Sequence, residues 1–150
     1  MTDESRTRGR VVAEARGWLG TPYHHCADIR GVGVDCGMLL VRVFVDTGLV
    51  APFDPRPYTH DWMMHRSEER FLSSLMARSR PVETPQPGDV ALWKVGRCYS
   101  HGAIVTSAAP LNVVHAVISY GRVVEEEISP FSPLGDPARA VRFASIVGAR

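Results

Sequence analysis

The sequence predicts an α+β domain with helices in its first half and a meandering antiparallel sheet in its second. Two observations carry this. Up to about residue 78 the apolar residues recur at helical spacing. From about residue 89 they fall into short β-rich runs separated by Gly and Pro breakers. Helices first and strands afterwards is the pattern of segregated layers rather than of alternating βαβ units. The chain of 150 residues fits one domain spanning 1–150.

In order along the chain, residues 5–19 read as an amphipathic helix. Val11, Ala15, Trp18 and Leu19 share one face, with Val12 beside them, and Gly20 ends it. Thr21-Pro22-Tyr23 opens a loop that runs to Val34. Residues 36–47 are apolar almost all round, which predicts a buried central helix. Asp35 stands at its N-cap position and Gly48 at its stop. Residues 51–60 hold three prolines and predict an irregular connection; residues 61–78 turn helical again through Phe71, Leu72, Leu75 and Met76. After a turn at Pro85-Gln86-Pro87-Gly88, strands are expected over 89–95, 101–106, 112–118, 122–128 and 140–147. Glu125-Glu126-Glu127 alternates across its strand, which predicts a solvated edge rather than a carboxylate pair.

Composition excludes several function classes. With a net charge of +1 there is no electrostatic case for nucleic acid. No apolar stretch approaches the ~20 residues of a membrane span, and Met1-Thr2-Asp3-Glu4-Ser5-Arg6 lacks the apolar core of a secretory signal. A protein made in the cytoplasm is therefore expected, leaving, if at all, by a route that needs no such signal. Three cysteines, an odd number, argue against a disulfide framework.

The chemistry centres on Asp35-Cys36. A cysteine on the first turn of a helix sits where the helix dipole favours a thiolate. A thiol nucleophile needs a base, and the base needs an orienting group. His101 and His115 fall in consecutive predicted strands, and His115 interrupts an apolar run. Side chains on one face of neighbouring strands come within ~5 Å. A zinc site from Cys98-Tyr99-Ser100-His101 with His24-His25-Cys26 has suitable spacing, but it would remove the base from Cys36. No metal and no cofactor is expected.

Five segments then resemble, in order, the NlpC/P60 cysteine peptidases: Gly20-Thr21-Pro22-Tyr23, Gly33-Val34-Asp35-Cys36, Pro87-Gly88-Asp89-Val90-Ala91-Leu92, Ser100-His101-Gly102-Ala103-Ile104-Val105 and Val114-His115-Ala116. The resemblance implies a papain-like fold, helices packed on an antiparallel sheet, and hydrolysis of amide bonds in peptidoglycan stem peptides, typically γ-D-glutamyl–diamino acid. It implies Cys36 as nucleophile, His101 as general base, His115 as its orienter and Tyr23 as an oxyanion donor. Asp35 matches the aspartate lining the substrate amine site. Gly37 stands beside it, where many members have serine. His24 and Cys26 replace a glycine-containing stretch and are expected to line the substrate groove. Residues 57–70 are similar to phage and prophage tail-region members, which implies a wall hydrolase carried on a phage or phage-like particle, with tail proteins as partners. Two alternatives stay open: a Cys–His hydrolase acting on another acyl substrate, and a non-catalytic tail module with a vestigial site.

Overall fold

The computed structural model describes residues 2–57, 77–95 and 98–148. The helix expected over 61–78 and the phage-tail-like segment lie almost wholly outside the described residues.

Helix α1 spans Asp3–Arg16. The Thr2 side chain accepts from the Ser5 N–H, and Asp3 and Glu4 in the first turn suit the positive helix end. The helix stops at Gly17, earlier than Gly20, and the chain tightens into a turn. Trp18 still turns inward, but Leu19 is 44% exposed, so the apolar face expected through Leu19 ends one residue sooner. The loop that follows contains a small hairpin of β1 (Asp28–Ile29) and β2 (Gly33–Val34). Two-residue strands carry no alternation to read. Helix α2 spans Cys36–Asp46 and buries eight of its residues, Cys36 to Val41 together with Val43 and Phe44.

The remaining strands are β3 (Arg80–Val82), β4 (Val90–Val95), β5 (Cys98–Ala108), β6 (Leu111–Val117), β7 (Arg122–Glu127) and β8 (Val141–Ser145). They form one antiparallel sheet in the order β3-β8-β4-β5-β6-β7. Five of the six were expected. The sixth, β3, contains Pro81, and proline is tolerated there because β3 is an edge strand.

Strand alternation builds two cores. Val90, Leu92, Ile104, Val114 and Val123 face the helices and pack with Val11, Ala15, Trp18, Leu39, Leu40 and Phe44. Ala91, Trp93, Ala103, Val105 and Val113 form a second cluster, closed by Leu111, Ile128, Leu134 and Phe143. Gly102 lets β5 approach α2: a Cβ there would lie 2.5 Å from Leu40 Cδ1. The Pro87-Gly88-Asp89 turn is held by a buried ion pair, with Arg8 Nη1 2.6 Å from Asp89 Oδ1. Asp89 also accepts the Gln86 N–H, and Arg8 donates to the Pro87 carbonyl. No helix among the described residues is long and apolar enough to cross a membrane.

Candidate active site

Cys36 opens α2 because Asp35 caps it. Asp35 Oδ1 accepts the Met38 N–H at 2.8 Å, and Oδ2 accepts the Cys26 N–H at 2.7 Å. Both bonds are made by a carboxylate that is 2% exposed. Asp35 is therefore tied into the backbone on two sides, and it ties the 24–27 turn to the helix start. Cys26 adopts a positive φ of 61°, a conformation uncommon outside glycine, within this turn.

The Gly20-Thr21-Pro22-Tyr23 segment is stitched across the fold. Val123 donates to the Thr21 carbonyl, Tyr23 to the Gly121 carbonyl and Val34 to the Pro22 carbonyl. The buried Thr21 hydroxyl accepts the Gly31 N–H at 3.0 Å. These bonds anchor Tyr23 between β2 and the start of β7. The Tyr23 phenol is pushed well above its ordinary pKa, first by burial and then by the anionic forms of Cys36, Asp35 and Cys26. It stays protonated and can donate a hydrogen bond.

The two histidines come from adjacent strands. His101 Nε2 and His115 Nδ1 are 2.8 Å apart, with the rings edge-on at 68°. Trp93 packs against the His101 ring with centroids 5.9 Å apart. Beside His101 the β4–β5 register shifts, since Trp93 opposes His101 and Lys94 opposes Tyr99. Such irregularities re-aim side chains at the rim of a sheet. His115 is 1% exposed and continues the chain of contacts: its Nε2 lies 3.2 Å from Glu126 Oε1. The solvated-edge reading of the three glutamates therefore fails for Glu126. Glu125 pairs with Arg16 instead, as the alternation of β7 requires.

Tyr23, Asp35, Cys36, Gly37, His101 and His115 all line one cavity of about 340 Å³. Its size is within the range of small-molecule and peptide-side-chain sites. Of the expected groove residues, His24 and Cys26 are not among its lining. His24 is exposed and packs its Cβ beside Gly33, and the neighbouring His25 lines the cavity in its place. Glu126, Ser132, Leu134 and Arg139 also line the wall. Sequence reasoning missed these, because they belong to the late loop and the last strands but one.

The electrostatics differ from the expectation of a resting thiolate. Burial, and then the Asp35 carboxylate, push the Cys36 thiol up to about 12. The backbone N–H dipoles of Gly102, Gly37 and Cys36 itself oppose this, without reversing it. Burial also lowers His101 to about 3, helped by His115 and Arg139, and burial lowers His115 to about 4. Both directions favour the neutral thiol with neutral imidazoles. The backbone at the helix start lowers the thiol pKa, but the desolvation of the buried Cys36 side chain outweighs it.

His25, Cys26 and Asp35 also form a cluster in which one ligand atom from each lies within 4.8 Å of the others. The Cys26 sulfur is 3.4 Å from His25 Nε2. The cluster shares His25 and Cys26 with the zinc set considered from the sequence and adds Asp35.

No family model and no curated protein matches the sequence. Fifteen chains of solved structures match the fold. One is the NlpC/p60 domain of the peptidoglycan hydrolase SagA, 22% identical, with a TM-score of 0.60, covering 91% of this chain and 96% of that one. With two helices and a six-stranded antiparallel sheet among the described residues, and that likeness across nearly the whole chain, the protein has the papain-like α+β fold of NlpC/P60 domains.

Proposed function

We propose that the protein is a cysteine peptidase or amidase of NlpC/P60 type that cleaves amide bonds in peptidoglycan stem peptides. One observation carries the reading. A cysteine at the start of a buried helix shares a cavity with a histidine whose Nε2 is held by a second histidine. A thiol, a base and an orienter are the parts that acyl transfer needs. The SagA domain supports the substrate class, because its name describes a peptidoglycan hydrolase.

In this mechanism Cys36 Sγ attacks the carbonyl carbon of the scissile amide. His101 takes the thiol proton as the bond forms and gives it to the leaving amine. Water, deprotonated by the same imidazole, then releases the acyl group from sulfur. The Tyr23 hydroxyl and the backbone N–H of Cys36 stabilise the oxyanion. His115 holds the His101 ring in place. Asp35 and Gly37 border the substrate at the helix start. The finer readings, cleavage at the γ-D-glutamyl–diamino acid bond and carriage on a phage tail, rest on the sequence resemblance alone.

The test is digestion of purified peptidoglycan with identification of the new termini by mass spectrometry. Cys36→Ala folds and loses cleavage. His101→Ala lowers kcat by roughly 10²–10⁴-fold, the usual contribution of a positioned acid–base group. Undiminished cleavage by Cys36→Ala would end this reading. Product masses separate the γ-D-glutamyl bond from another amide or an ester.

A further inference from the structure

The contact between His115 and Glu126 has a chemical direction. An ionised carboxylate only accepts hydrogen bonds. The bond at 3.2 Å therefore requires the proton of His115 to sit on Nε2. That leaves His115 Nδ1 as an acceptor, so His101 must donate to it from Nε2 across their 2.8 Å contact. His101 Nδ1 is then the unprotonated nitrogen, which is the form a general base needs. A donor in place of Glu126 would reverse every step and put a proton on the nitrogen meant to receive one.

We propose that Glu126 is a positioning residue that sets the tautomers of both histidines and so makes His101 Nδ1 the base for Cys36; this deepens the hydrolase reading above and rests on it.

The placement of Glu126 supports the assignment. His115 pairs with Val124 in the β6–β7 ladder, so Val124 and Glu126 share the face that carries His115. The Glu126 side chain is 28% exposed, partly screened from water. The neighbouring Tyr120 feels the same carboxylate, which raises its phenol above the ordinary value. Among the described residues, the other ionisable groups on the cavity wall are Cys36, Arg139, Tyr23, Tyr120, His25 and Asp35. Of these, Arg139 acts on His101 by repelling its charged form. Glu126 is the carboxylate bonded to His115 Nε2.

The experiment has two readouts on wild type, Glu126→Ala, Glu126→Gln and, as a control, Glu127→Ala on the opposite face of β7. Long-range ¹H–¹⁵N spectra at neutral pH report the imidazole tautomers, and peptidoglycan digestion reports kcat and KM. In wild type both rings carry the proton on Nε2. In Glu126→Ala His115 loses that preference. Its kcat falls roughly ten- to hundred-fold at little-changed KM, by analogy with the loss when the hydrogen-bond partner of a metal-ligating histidine is removed. Glu126→Gln, whose carbonyl still accepts, recovers most of the rate, and Glu127→Ala matches wild type. A wild-type His115 protonated on Nδ1, or a Glu126→Ala protein with unchanged tautomers and kcat, overturns the proposal. If wild type cleaves no peptidoglycan, the hydrolase reading fails, and the spectra alone still decide the role of Glu126.

Discussion

At the scale of single residues, the proposed nucleophile is a buried thiol. Cys36 and His101 are both driven toward their neutral forms by burial. Moving the thiol proton to the imidazole creates two charges at once but changes no net charge, so the pair can ionise as a unit when attack begins. The consequence is a pH signature. Raising the Cys36 pKa means the thiolate fraction grows as pH rises through neutrality, with no plateau near pH 6. Iodoacetamide alkylation of Cys36, followed by mass spectrometry, should accelerate continuously from pH 6 to 9. A rate flat over that range would show a preformed thiolate–imidazolium pair. Cys36, His101 and His115 were legible as residues because a cysteine after an N-cap and a histidine in an apolar strand break their local patterns. Glu126 was not. Three consecutive glutamates look alike, and only the register of β7 against β6 selects the middle one to meet His115.

At the scale of elements, the site depends on how closely α2 approaches β5. The Gly102 N–H dipole acts on the Cys36 thiol, and the missing side chain at Gly102 makes room for Leu40. Gly102→Ala would put a methyl 2.5 Å from Leu40 Cδ1 in a fully buried contact. Overpacking of this kind costs about 1–3 kcal/mol, and here it also draws the helix start away from the strand. Denaturant melts should show the stability loss, and peptidoglycan digestion a lower kcat. Wild-type values for both would mean that the helix repacks freely. Most element bounds were readable from periodicity. The errors fell where periodicity is silent: the short β1–β2 hairpin, the proline-bearing edge strand β3, and the end of α1 at Gly17.

At the scale of the whole molecule, Arg8 joins parts distant in sequence. It donates to Asp89 and the Pro87 carbonyl before β4 and to the Ser145 hydroxyl of β8, while Glu4 of its own helix pairs with it. Both members of the Arg8–Asp89 pair are nearly sealed from water, with side chains 7% and 1% exposed. Removing Arg8 leaves Asp89 buried without its cation, and removing Asp89 leaves Arg8 only the half-exposed Glu4; breaking such a pair typically costs about 3–5 kcal/mol, whereas replacing both members with apolar residues is often neutral or stabilising by about 1–4 kcal/mol. Arg8→Ala or Asp89→Ala should therefore lower the denaturation midpoint sharply, and Arg8→Met with Asp89→Leu should restore much of it. Equal losses in the single and double variants would place the stabilising effect of Arg8 in its bonds to Pro87 and Ser145 instead. The Pro87-Gly88-Asp89 segment, legible only as a turn and as part of a motif, is thus a structural clamp.

By itself the sequence determined the α+β layering, the buried helix that Cys36 opens, and the identity of the three groups proposed to act together. Those features are local: a cap, an apolar period of 3.6 or 2, a polar residue where an apolar one is expected. The tertiary structure decided what lies between residues far apart in the chain. It set Glu126 rather than its neighbours against His115, His25 rather than His24 on the cavity wall, and a neutral thiol where the helix end alone predicts a thiolate. Register and burial settle such outcomes. Register is fixed by pairing with another strand, and the cost of burying a charge depends on everything packed around it.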